Sequence, residues 1–198
     1  HLDQHRVFVD LAHINPAGFW DAVDAHDKHL PLIATHTGVA GVKFAGAEAY
    51  LGPNSTTDID GGSDRSIEVW AYNPSLADEE TLVAWGHRGG PDRSNMSFNY
   101  GANATWGAVG HWGADVGWSG NPQPGQWHYL VYTYDGAQTA RVYADAQLKT
   151  TKALGGSLDT YAAFPIRLGA QANNTGSDFD FGQALSGDIA FVRVHGGL

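Results

Sequence analysis

From about Ile67 onward the chain repeats one pattern: a run of five to nine residues rich in Val, Tyr, Trp and Phe, then a cluster of Gly, Asn, Asp and Pro. That alternation admits short strands joined by turns and little else. The runs at 66–72, 81–87, 96–101, 106–112, 127–135, 140–145, 164–171 and 188–195 are the strand candidates. Eight or more short strands at this spacing predict an all-β fold, a sandwich or a barrel. In the 127–135 run, Trp127, Tyr129, Val131 and Thr133 face one way and His128, Leu130, Tyr132 and Tyr134 the other, so both faces are bulky and both are covered or used. Trp70 and Trp127 read as core. Asp135-Gly136 predicts a hairpin into the next run, its glycine taking a positive φ that other residues resist. The 26 Gly and 8 Pro exceed the usual share and exclude a helical bundle or coiled coil.

The 198 residues suffice for one substantial core, which favours a single domain over 1–198. Eleven basic against 21 acidic residues leave a net charge of −10 with no Lys/Arg run. Such a surface repels phosphate backbones and anionic membranes, which argues against nucleic acid as a partner. No apolar run approaches the roughly 18 residues of a membrane span, so membrane insertion is not expected. With no Cys, disulfides, thiolate metal sites and cysteine nucleophiles are excluded. The chain opens at His1 without a Met or a signal-peptide hydrophobic region and reads as a mature or excised piece.

Residues 1–43 differ in texture. Six of the ten His lie here, and the segment reads as strand, helix, strand, with Asn15 as helix cap and Pro16 at the first helical position.

The stretches GVKFAGAEAYLGP, RSIEVWAYNP, TLVAWGHRGG, GQWHYLVYTYDG with RVYADAQLK, and IRLGAQ with LSGDIAFVRVH make residues about 39–198 resemble laminin-G-like domains of the concanavalin A-like lectin/glucanase superfamily. The resemblance implies a jelly-roll β-sandwich of two antiparallel sheets. It also implies a binding module rather than an enzyme, with calcium a frequent companion. One departure is Asp145-Ala146, where such hairpins usually turn on Asp-Gly. Residues about 5–43, through VDLAHINPAGFWDAV and PLIATHTG, also resemble a stretch of the membrane (renal) dipeptidase family. That second resemblance implies zinc ligands at His13 and His36, although no carboxylate partners are identifiable. The segment either is a fragment of that ancestry or supplies an opening strand to the sandwich, and in both cases it is expected to pack onto the sandwich.

Sugar binding needs flat aromatic faces for C–H groups and planar amide or guanidinium donors for hydroxyls, and residues 85–118 hold both kinds, including Trp85, His87 and Asn95. Arg88, Asn99, Tyr100, His111, Trp112 and Trp118 are the expected ligand surface. Asp58, Asp60 and Asp64 share one Gly-rich loop suited to a hard cation such as calcium, although position twelve from Asp58 is Val69 and excludes an EF-hand. Asp178 and Asp180 form a weaker acidic pair. No E-x-D-x-x-E strand, G-x-S-x-G elbow, phosphate loop or H-E-x-x-H helix occurs, so no catalytic residue is assigned. The expected role is therefore an extracellular or cell-surface module binding a glycan or glycoprotein. The alternatives are an adhesion protein that self-associates through edge strands, and a remnant of a zinc-dependent hydrolase.

Overall fold

The structure is a computed structural model that describes Val9–Asp10, Leu32–Ile33 and residues 41–197. The chain divides into two units, His1–Gly41 and Val42–Leu198. In the first, β1 (Val9–Asp10) pairs in parallel with β2 (Leu32–Ile33), the arrangement a strand–crossover–strand segment requires. The expected helix lies outside the described residues, as do His13 and His36.

The second unit is a sandwich of two antiparallel sheets. Its strands are β3 (Val42–Lys43), β4 (Tyr50–Asn54), β5 (Arg65–Tyr72), β6 (Thr81–Trp85), β7 (Met96–Asn99), β8 (Val109–Gly110), β9 (Trp127–Tyr134), β10 (Thr139–Ala144), β11 (Gln147–Ala153), β12 (Pro165–Leu168), β13 (Gln171–Ala172), β14 (Phe179–Asp180) and β15 (Asp188–Gly196). One sheet has six strands in the order β11-β10-β9-β5-β15-β3, the other five in the order β4-β12-β6-β7-β8, and β13 and β14 form a small separate pair.

The six-stranded sheet shows the period-two signal of a half-buried surface. Ile67, Val69 and Ala71 on β5, and Leu130, Tyr132 and Tyr134 on β9, are buried, while Glu68, Trp70 and Tyr72 between and after the first set, and Tyr129, Val131 and Thr133 beside the second, are only half-buried. Trp70 and Trp127 fall on the outer set. They lean against Tyr129 and Tyr72 at ring separations of 6.1 and 5.8 Å, so the expectation that these two tryptophans are core fails by one position of the alternation. In the five-stranded sheet β6 and β7 are buried throughout. Trp85, Met96 and Phe98 enter the apolar core, while Thr81, Ser97 and Asn99, joined in a hydrogen-bonded polar layer, take the opposite face. A sheet face that is polar yet covered is unusual for a structural purpose, and it underlies the site described next.

Candidate functional site

The sequence predicts one strand over 106–112, but the structure keeps only Val109–Gly110 as β8. The reason is local. Trp112 adopts φ +61°, a left-handed conformation that breaks a strand, and the side chain of Asp115 holds it there by accepting the N–H groups of His111 (2.8 Å) and Trp112 (2.9 Å). On the other side Asn103 Oδ1 accepts from the amides of Thr105 (2.8 Å) and Trp106 (3.3 Å), folding that stretch into a side-chain-capped turn. Trp106 and Trp112 therefore stand on two turns flanking a two-residue strand, 39% and 36% exposed.

Between them lies a groove of about 400 Å³, lined also by Glu79, Arg88, Asp92, Asn95, Gly110, Gly113, Asp115 and Gln171. The β6–β7 loop supplies Arg88 and Asp92. Its position against the Trp112 turn is fixed by the Arg93 amide, which donates to Trp112 O at 2.8 Å, and Arg93 also has a positive φ of 69°. Glycine is favoured at position 113 by its φ of +80°, a backbone conformation that other residues resist. Two bulky residues held in the left-handed region beside one groove mark backbone strain of the kind that collects at binding sites.

The floor is formed by Glu79, Asn95, Gly110 and Gln171, with Asn99 of the polar layer beneath it. Gln171 Nε2 donates to Glu79 Oε1 at 2.5 Å and Asn99 Nδ2 does so at 3.4 Å. With its amide nitrogen turned toward Glu79, Gln183 donates to Oε2 at 3.1 Å and accepts from Arg88 at 3.2 Å. Burial pushes the Glu79 carboxyl above the usual carboxylate range, against the opposing pull of Arg88 and the bond from Gln171. Arg88 pairs with Asp180 at 2.9 Å. Asn95 donates to Gly110 O and to Gln171 Oε1 and is 3% exposed, yet its Oδ1 has no partner among the described residues.

Of the six residues the sequence nominates as a ligand surface, Arg88 and Trp112 line the groove and the other four are buried. Asn99 lies beneath the floor, where it donates to Glu79 and to Trp106 O (3.1 Å), and so positions two lining residues without reaching a ligand. Tyr100 is core, its hydroxyl donating to Gln123 O at 2.9 Å. Trp118 packs against Phe98 and donates to Gly107 O. His111 is wholly buried, with Nδ1 3.0 Å from Asn95 O and Nε2 3.0 Å from the Tyr132 hydroxyl across the sandwich. All four belong to strand ends and turns whose polar tips find partners inside the protein, which residue type alone does not reveal. Conversely, Glu79, Asp92, Trp106, Asp115 and Gln171 line the groove without a sequence pattern that marks them as a ligand surface. Trp106 had one available signal, the preceding Asn103-x-Thr105 turn.

In the acidic loop, Asp58 and Asp60 are engaged by neighbouring protein groups. Asp58 accepts from Thr56 Oγ1, and Asp60 Oδ2 accepts from the Ala163 amide at 2.9 Å, with Oδ1 unpartnered. The loop's cation is its own Arg65, fully buried, which donates to Ser63 O, Gly61 O and Thr160 Oγ1 and lies over the rings of Trp85 and Tyr134. Asp64 does not converge with Asp58 and Asp60, and among the described residues no three His, Asp or Glu side chains gather to hold a metal. Asp180, of the weaker acidic pair, is engaged with Arg88.

A family model described as the concanavalin A-like lectin/glucanases superfamily matches residues 45–197. No curated protein matches the chain in sequence. Among solved structures, domain 4 of AbnA, a GH43 extracellular arabinanase from Geobacillus stearothermophilus in complex with arabinotriose, aligns with a TM-score of 0.55 at 17% identity, over 79% of this chain and 70% of that one. The CBM40 of the Ruminococcus gnavus IT-sialidase bound to α2,3-sialyllactose aligns at 0.56 and 12% identity, over 80% and 90%. Domains LG4-5 of the mouse laminin α1 chain align at 0.53 and 14% identity, over 84% of this chain and 46% of that one. At such identities the likeness is one of fold.

Proposed function

The chain belongs to the concanavalin A-like lectin/glucanase superfamily, and from that premise we propose that it is a non-catalytic carbohydrate-binding module whose ligand lies between Trp106 and Trp112. The observation that carries the reading is the groove itself: two half-exposed indoles facing a floor of buried, mutually braced amide and carboxylate groups. Indoles offer apolar faces to sugar C–H groups, and braced amides and carboxylates offer hydrogen-bond partners that need no reordering. Two of the structural neighbours are described with saccharides bound, which supports the same class of ligand. The reading carries with it an extracellular or cell-surface setting, where polymeric glycans are found.

Titration of the protein with a panel of neutral and charged oligosaccharides, followed by tryptophan fluorescence, tests the proposal. At least one is expected to give a saturable change, and Trp112→Ala and Trp106→Ala each weaken it by about tenfold or more, a loss of roughly 1.4 kcal/mol. The melting temperature is expected to stay within a few degrees, since both side chains reach solvent. An unchanged affinity in both variants would place the ligand elsewhere. Sugar released during the same incubation would instead assign Glu79, with its raised carboxyl, the part of a general acid.

Binding is read as calcium-independent, because the Asp58–Asp64 loop is organised around Arg65. A thermal melt with calcium and with chelator is expected to show the same midpoint, and a calcium-specific rise would reinstate a metal site.

A further inference from the structure

The groove is unevenly supplied with hydrogen-bonding groups. Its lining holds three carboxylates, Glu79, Asp92 and Asp115, against one guanidinium, and that guanidinium already faces Asp180 at 2.9 Å. Asp115 uses Oδ1 to hold the Trp112 turn, and Asp92, which is exposed, accepts no hydrogen bond from the described residues. Lys152 lies behind Asp115 but spends its ammonium on the backbone carbonyl of that residue. Asn95 adds a further acceptor, the unpartnered Oδ1 of a side chain 3% exposed, and the two bonds donated by its Nδ2 fix which atom remains unused. Among the described residues the three carboxylates do not form a three-ligand metal cluster. They line a space of about 400 Å³ in which carboxylates outnumber the guanidinium three to one, beside the indole N–H groups of Trp106 and Trp112.

Resting on the carbohydrate-binding reading above, we propose that this groove selects saccharides bearing free amines, cationic amino sugars of the glucosamine type, and rejects sialic acids and uronates. An ammonium group brings three donors and a positive charge to a groove edged by Asp92 and Asp115, whereas a sugar carboxylate brings acceptors and like charge to the same place. The chain's net charge of −10 acts in the same direction at longer range.

The test compares three probes by isothermal titration at about pH 6, where such amines are protonated. They are a glucosamine trimer, the N-acetylated trimer of the same skeleton, and sialyllactose. The free-amine trimer is expected to bind about tenfold or more tightly than its acetylated twin, with sialyllactose weakest. The advantage is expected to shrink as salt is raised, and to vanish in Asp92→Asn/Asp115→Asn, whose amide oxygens preserve the Trp112 turn. Equal affinity for the two trimers, a preference for sialyllactose, or a preference that survives the double substitution would each overturn this inference while leaving a sugar-binding groove in place. Failure of every saccharide to bind the wild-type protein would overturn both.

Discussion

His111 shows how a residue type can mislead. An imidazole among tryptophans suggests a ligand contact, yet here it bridges the two sheets as a neutral ring, one nitrogen donating to Asn95 O and the other accepting from Tyr132. Desolvation holds its pKa down at about 3, against an ordinary 6.5. As pH falls below 6.5 the unfolded chain takes up a proton that the folded one refuses. Stability that is complete above that point is therefore lost toward pH 3, at about 1.4 kcal/mol per unit. His111→Gln is expected to be less stable than wild type at neutral pH by about 1–3 kcal/mol, with the gap narrowing as the pH is lowered. Urea denaturation at several pH values checks this, and a gap constant with pH would mean that His111 does not titrate this way. The nominations of Arg88 and Trp112 reached the groove because residue chemistry and exposure coincide there. Those of Asn99, Tyr100, His111 and Trp118 did not, because a polar tip satisfied internally and one awaiting a ligand are written with the same letters.

At the level of elements, alternation was legible wherever one face of a strand is apolar, as in β5, β9 and β10. It failed in two places. β11 is polar and largely exposed along an edge, so it carries no periodic signal. The run at 106–112 looks like a strand but is cut by the Asn103 and Asp115 caps, and the groove depends on that cut. The groove also draws Gln171 from a strand some sixty residues away, which no local pattern announces. The β10–β11 hairpin shows the reverse case, an unfavourable residue tolerated. Asp145 and Ala146 both have positive φ, 51° and 63°, so the turn keeps the geometry of the usual Asp-Gly pair without its glycine. Asp145 holds the turn with its carboxylate, accepting from the Tyr129 amide at 3.0 Å and pairing with His128 at 2.6 Å. Ala146 has no such support. Ala146→Gly is expected to stabilise the protein by about 0.5–1 kcal/mol, read as a higher urea midpoint at unchanged slope. A lower midpoint would show that unfolded-state entropy outweighs the relief of strain.

On the scale of the whole molecule, the second unit carries its own core, and the family match begins at residue 45. A fragment of residues 39–198 is accordingly expected to fold alone, melt in one transition and keep the saccharide response of the full chain. Loss of cooperativity on removing residues 1–38 would show that the sandwich needs them. The walls of the groove are fastened by the protein's own bonds: Asp115 to the Trp112 turn, Asn103 to the Trp106 turn, and the Arg93 amide to Trp112 O. A guest thus meets a finished recess and has no segment to order on arrival. Arrival rates should then differ little from one uncharged guest to another, and the protein's discrimination among them should be written in how long each stays.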